Sequence, residues 1–132
     1  IPIDPSLTHA GEMTEELGFD KTKHMLALPT PPTAIMVSSM IVALGVRRAI
    51  EEAGLVIGRD VSVITHDDAL SYLRNGGDVP IFTATRSSVR DAGRQLAEML
   101  IAQIQNPLLA PQTQLLEAEL MVGQSTGPAP IT

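Results

Sequence analysis

The strongest constraint on this chain is a rhythm of short, nearly unbroken apolar runs separated by stretches with helical spacing. TAIMVS at 33–38, VSVIT at 61–65 and IFTATR at 81–86 are each about a strand in length. An apolar run without polar alternation must bury both faces, as a parallel strand covered by helices does. Between the first two runs, Val42, Val46, Ala49 and Ala53 share one helical face, and Arg47, Arg48, Glu51 and Glu52 share the other. Ser39 stands before this helix as an N-cap, and Gly54 follows it in the usual stop position. After the third run, Ser88 and Asp91 form a capping-box pattern. Val89, Ala92, Leu96, Met99 and Ile104 then supply an inward face until Asn106-Pro107 closes the helix. An earlier helix is expected from Glu16 to Leu28, stopped by the PTPP of 29–32. The pattern predicts an α/β fold, a parallel sheet with helices on both faces. It divides into a lead-in over 1–15, a main body over 16–110, and a return segment and tail over 111–132. QTQLLEAELMVG is expected to be extended, and QSTGPAPIT to be a tail.

Composition removes several classes of function. The 132 residues include no cysteine, so disulfides, thiolate nucleophiles and cysteine-based zinc sites are excluded. Phe19, Tyr72 and Phe82 are the only aromatics, so the core is aliphatic and stacking platforms are scarce. A net charge of −6, with no basic cluster beyond Arg47-Arg48, argues against direct nucleic-acid contact by this stretch. No apolar run approaches the roughly 20 residues of a membrane span. The N-terminus has neither the basic start nor the apolar centre of a signal peptide. It also lacks an initiator Met, so the chain is expected to begin inside a longer, cytoplasmic protein. His9, His24 and His66 sit in unrelated contexts, no Gly-x-Ser-x-Gly elbow occurs, and no glycine loop is built to cradle phosphate. Lys21 and Lys23, the only lysines, lie upstream of the aspartate pair, against a phosphoacceptor domain. Neither an enzyme nor a cofactor is expected.

Strand order carries the functional expectation. In open parallel sheets ligands bind outside the carboxyl ends of the strands. Ser38-Ser39 follow the first strand and His66-Asp67-Asp68 follow the second, so both sets belong to one edge. A metal site at 66–68 is disfavoured, because neighbouring strand residues point to opposite faces. Asp68 is expected to cap the following turn, and Ser39 is read as a helix cap or a ligand contact, one side chain being able to do both at different times. The six methionines are expected to fill core or interface gaps.

PTAIMVSSMIVALGVRRAIEEAGLVIGRDVSVITHDD, then TATRSSVRDAGRQLAEML, then LMVGQSTGP resemble, in order and spacing, the effector-binding domain of the LacI/GalR family of bacterial transcription regulators. The resemblance runs from Glu12 to Pro128. It implies the periplasmic-binding-protein-like fold, two α/β subdomains around a ligand cleft, with this chain supplying an incomplete C-terminal subdomain. It also implies a small-molecule effector, a sugar or polyol, that allosterically controls a homodimer. Operator DNA would be read by an upstream helix-turn-helix absent here. Asp67 matches the first acid of the family's Asp-Asp/Asn pair, which commonly bonds ligand hydroxyls. Ser39 falls where the family has asparagine, Met13 where it often has a ring-stacking aromatic, and His66 where an aromatic precedes the acids. These four are the candidate ligand-binding residues. Thr83 and Arg86 match the family pattern, whereas Met40 replaces an aspartate and Gly123 an arginine. A sugar-binding protein of a transport system, with the same fold, is the alternative. The strand and helix that open the family's subdomain are not in this sequence, so exposed apolar sheet edge or surface, with self-association, is expected.

Overall fold

Apolar residues from two helices, two strands and the residues just before β2 and β3 meet in one core, aliphatic but for a single phenylalanine. In the computed structural model, which describes residues 4–70 and 72–129, that core is built by Met25, Ile35, Met40, Val42, Ala43, Val46, Ile50, Val61, Val63 and Phe82. Helix α1 covers Glu15–Leu26 and α2 covers Met40–Glu52. The strands are β1, Ala34–Met36; β2, Ser62–Asp67; β3, Thr83–Arg86; and β4, Glu119–Met121, with α3 over Val89–Gln105 between the last two. The sheet order is β1-β2-β3-β4. The first three strands are parallel, and β4 returns antiparallel to β3. The α/β class is therefore the one read from the sequence.

Local chemistry explains the elements. The Thr14 hydroxyl accepts the Leu17 N–H to open α1, Ser39 accepts the Val42 N–H to open α2, and Ser88 accepts the Asp91 N–H to open α3. Helix α2 ends where Gly54 takes a φ of +72°, a conformation that favours glycine. Seven of its residues are buried, including Val42, Val46, Ala49 and Ile50, and each fully buried Val or Ile contributes about 1.5–3 kcal/mol. Ala53, expected inward, is exposed at the C-cap of the helix. Helices α1 and α2 touch backbone to backbone: a Cβ at Gly45 would collide with the Glu15 carbonyl oxygen. Across that contact the Arg48 guanidinium lies 3.8 Å from the Phe19 ring centroid and 3.0 Å from Glu15 Oε1.

The chain departs from its sequence reading in four places. Strand β2 runs past Thr65 to Asp67, because His66 and Asp67 pair with Thr85 and Arg86 in the sheet register. Strand β3 begins at Thr83 rather than Ile81, since the side chain of Asn75 clamps both backbone groups of Phe82, each at 2.7 Å. The supposed tail is partly structural. Buried Ser125 donates from its hydroxyl to the Val63 carbonyl and accepts the Thr83 N–H at 2.8 Å, stitching β2 to β3. The largest departure is α3, in which no residue is buried. Val89, Leu96 and Ile104 are exposed, and only Ala92 and Met99 are half-covered. The half-covered side, Ala92, Gln95, Met99, Ala102 and Gln103, lies roughly a third of a turn from the apolar ridge of Val89, Leu96, Leu100 and Ile104. No described element covers that ridge. No helix among the described residues is long and apolar enough to cross a membrane.

Candidate functional site

The strand register decides which side chains meet at the carboxyl edge. His66 pairs with Thr85 and Asp67 with Arg86, so the two pairs stand on opposite faces of the sheet. On the His66 face the lead-in segment closes over the edge and leaves a cavity of about 680 Å³. Met13, Leu17, Met36 and Val42 give it an apolar wall, and Ser38, His66 and Thr85 give it polar groups. On the Asp67 face a smaller pocket of about 300 Å³ is lined by Asp67, Arg74, Asp78 and Arg86, with Gly76-Gly77 at its rim.

The four candidate residues are thus divided. Met13 and His66 share the larger cavity. Ser39 is half-buried just behind it, its hydroxyl 3.5 Å from the Val42 nitrogen, while its neighbour Ser38 faces the cavity. Asp67 lies in the smaller pocket with its side chain only 8% exposed.

The turn-capping role read for Asp68 falls to Asp67. It is Asp67 that caps the turn: its Oδ1 accepts the Ala69 N–H at 2.8 Å, and Oδ2 lies 4.0 Å from Arg86 Nε. Ala69 there takes a φ of +54°, in the left-handed region, and the Asp67 hydrogen bond helps to hold it. Asp68 instead turns back toward the ring of His66, with Oδ1 3.2 Å from Nε2. The reason is strand length. Because β2 continues to Asp67, that residue occupies the first position of the turn, and Asp68 clears the sheet.

Both ring nitrogens of His66 have partners. Its Nδ1 lies 2.8 Å from Thr85 Oγ1, and its Nε2 lies 3.0 Å from Ser87 Oγ as well as 3.2 Å from Asp68. Thr85 and Ser87 were not foreseen as site residues. Their signal was available in TATRSS, whose alternation puts Thr85 on one face and in line with the second strand's histidine. Among the described residues no group of three or more His, Asp or Glu side chains is arranged to hold a metal ion. The cavity offers hydroxyls and an imidazole against an apolar wall, which suits a ligand with both polar groups and C–H faces.

Residues 2–126 match the family model of the periplasmic binding protein-like domain. The chain is 47% identical over 131 residues to the HTH-type transcriptional regulator AglR of Rhizobium meliloti, covering 98% of this chain and 36% of that protein. It is 30% identical over 130 residues to the HTH-type transcriptional repressor CytR of Escherichia coli, covering 98% and 37%. Among solved structures, the transcriptional regulator CelR in complex with cellobiose superposes with a TM-score of 0.80 at 25% identity, over 95% of this chain and 37% of that one. The chain spans little more than a third of the length of these relatives.

Proposed function

We propose that this chain, which belongs to the LacI family of transcription regulators with a periplasmic-binding-protein-like domain, is part of the effector-binding region of such a regulator. Its ligand is a small polar molecule of the sugar or polyol class. Binding biases the closure of two subdomains and so controls operator affinity through a helix-turn-helix outside this stretch, in a cytoplasmic homodimer.

The observation that carries this reading is the cavity of about 680 Å³ at the carboxyl ends of β1, β2 and β3, largely apolar, with Ser38, His66 and Thr85 among its polar groups. Met13 and Leu17 belong to its apolar wall, a surface for the C–H face of a ring, while Ser38 and Thr85 reach its polar substituents. Asp67 stands just across the sheet, with one oxygen taken by Ala69 and the other turned toward Arg86. A ligand hydroxyl reaching over the strand end would replace the long Arg86 contact with a charge-assisted hydrogen bond.

The test is a thermal-shift screen of the full-length regulator against sugars, polyols and nucleosides, followed by calorimetry on the hits. The expected outcome is a rise in Tm with one class. Met13→Ala should weaken affinity about tenfold, and Asp67→Asn tenfold or more, each equivalent to about 1.4 kcal/mol per factor of ten. A regulator that answers to none of these classes, or an Asp67→Asn variant that binds as well as wild type, would overturn the assignment.

A further inference from the structure

Resting on that reading of the cavity, we propose that His66 and Asp68 together set the hydrogen-bonding sense of the Thr85 hydroxyl, and with it which groups on a ligand the site accepts. His66 is a positioning residue, and it acts through Thr85.

The inference follows from counting donors and acceptors around one ring. Three partners surround the imidazole: Thr85 Oγ1 at 2.8 Å from Nδ1, and Ser87 Oγ and Asp68 Oδ1 at 3.0 Å and 3.2 Å from Nε2. The two hydroxyls can donate or accept, whereas an ionised carboxylate can only accept. Asp68 is therefore the one partner without a choice: the Nε2 hydrogen bond runs to Ser87, and the Asp68 carboxylate 3.2 Å away favours the proton on Nε2 by its charge. In the neutral ring Nδ1 is then a bare acceptor, and its one hydrogen-bonding partner among the described residues, Thr85, must donate to it. That spends the single Thr85 hydroxyl proton on His66 and leaves lone pairs facing the cavity, which Thr85 also lines. The site consequently takes hydrogen bonds from ligand hydroxyls at this point and turns away ligand carbonyls and ethers.

Protonation of the ring reverses the sense. With a proton on Nδ1 as well, His66 donates to Thr85, and the Thr85 proton is released toward the cavity, where it favours an acceptor on the ligand. Asp68 faces the ring directly, and His9 of the lead-in borders the same cavity. Asp67 and Arg86 lie on the other face of the sheet, and β1 presents only Met36 here. Among the described residues a single carboxylate, Asp68, thus biases the tautomer.

Long-range proton–nitrogen correlation NMR on the unliganded chain, at alkaline pH, reads the tautomer directly. One protonated Nε2 and one unprotonated, hydrogen-bonded Nδ1 are expected for His66. Thr85→Val should move the Nδ1 resonance downfield, to the position of an unbonded ring nitrogen. Asp68→Ala should average the two nitrogen shifts, since the remaining hydroxyl partners suit either tautomer. A wild-type ring protonated on Nδ1, an unmoved Nδ1 in Thr85→Val, or a single fixed tautomer in Asp68→Ala would each overturn the proposal. Because no ligand is present, these outcomes are independent of whether a sugar ever binds.

Discussion

Helices α2 and α3 are similar in design and opposite in outcome. Both open on a serine whose hydroxyl accepts a backbone N–H three residues on. Both carry an apolar stripe along one side. Helix α2 buries seven residues, and α3 over its 17 residues buries none. The difference lies in what stands opposite. Helix α2 has α1 and the sheet, with Met25, Ile35 and Val63 filling the space around Val42 and Val46. The ridge of α3 has no described neighbour, so its amphipathic pattern promises burial that this stretch does not provide. Amphipathicity states that a partner is needed and on which side; it does not supply one.

The sharpest test of this contrast replaces an equally apolar residue on each helix. Ile50→Ala removes a fully buried side chain from α2 and should cost about 2–5 kcal/mol, read as a fall in the urea midpoint with unchanged slope. Leu100→Ala, on the exposed ridge of α3, should cost about 0.5 kcal/mol or less. Equal losses would show that α3 packs in solution as firmly as α2.

A second contrast separates two parts of the C-terminal stretch. Residues 111–118 lie exposed and outside regular structure, yet Ser125 a few positions later is fully buried. Its hydroxyl serves two strands at once, donating to Val63 and accepting from Thr83, and Thr83 Oγ1 also meets Thr126 Oγ1 at 2.7 Å. Ser125→Ala strands a buried N–H and a buried carbonyl and should cost about 1–3 kcal/mol. Ala substitution at Gln114, in the exposed part, should change nothing measurable in the same melt.

How much of this was legible follows the same division. Every element that packs was visible in the sequence, because burial on both faces and helix caps leave local signatures: TAIMVS, VSVIT, Ser39, Gly54. The end of β2 was not, since whether a strand stops at Thr65 or Asp67 is decided by its neighbours Thr85 and Arg86 rather than by its own residues. That two-residue difference moved the turn cap from Asp68 to Asp67. It also put His66 and Asp67 on opposite faces, an alternation that applies only once the strand is known to reach Asp67. Ser125 was hidden for a related reason: a small polar residue in a Gly/Pro-rich stretch looks like tail until its distant partners are known. The bare ridge of α3 reads as core in the sequence because period alone carries no information about the neighbour.

The ridge also predicts behaviour without any change of fold. Leu100→Glu combined with Ile104→Glu places two charges on exposed positions and should leave the unfolding free energy within about 0.5 kcal/mol of wild type. Light scattering should nonetheless show less self-association, because the contiguous apolar strip that favours it is broken. Wild-type chain that is monodisperse and monomeric would instead show that the strip is too small to drive contact.

The smallest expected effect belongs to the turn that joins α2 to β2, on the well-packed side. The Asp60 carboxylate pairs with the Arg59 guanidinium at 2.8 Å and accepts the Val56 N–H at 2.7 Å. The Arg59 hydrogen bond, with the Val56 N–H second, holds Asp60 below its ordinary value of 3.8. A carboxyl that is more acidic folded than unfolded stabilises the fold above its unfolded value, and the gain fades as pH falls through the folded value. Acidification should therefore weaken wild type slightly more than Asp60→Asn, which has no proton to take up, with the two curves converging at the acid end. The site is open to solvent, so the separation is small and shrinks further with added salt. Leu100→Ala, which touches no titrating group, should run parallel to wild type across the same range. Parallel wild-type and Asp60→Asn curves would mean that the turn is held by its backbone alone and that the carboxylate adds nothing.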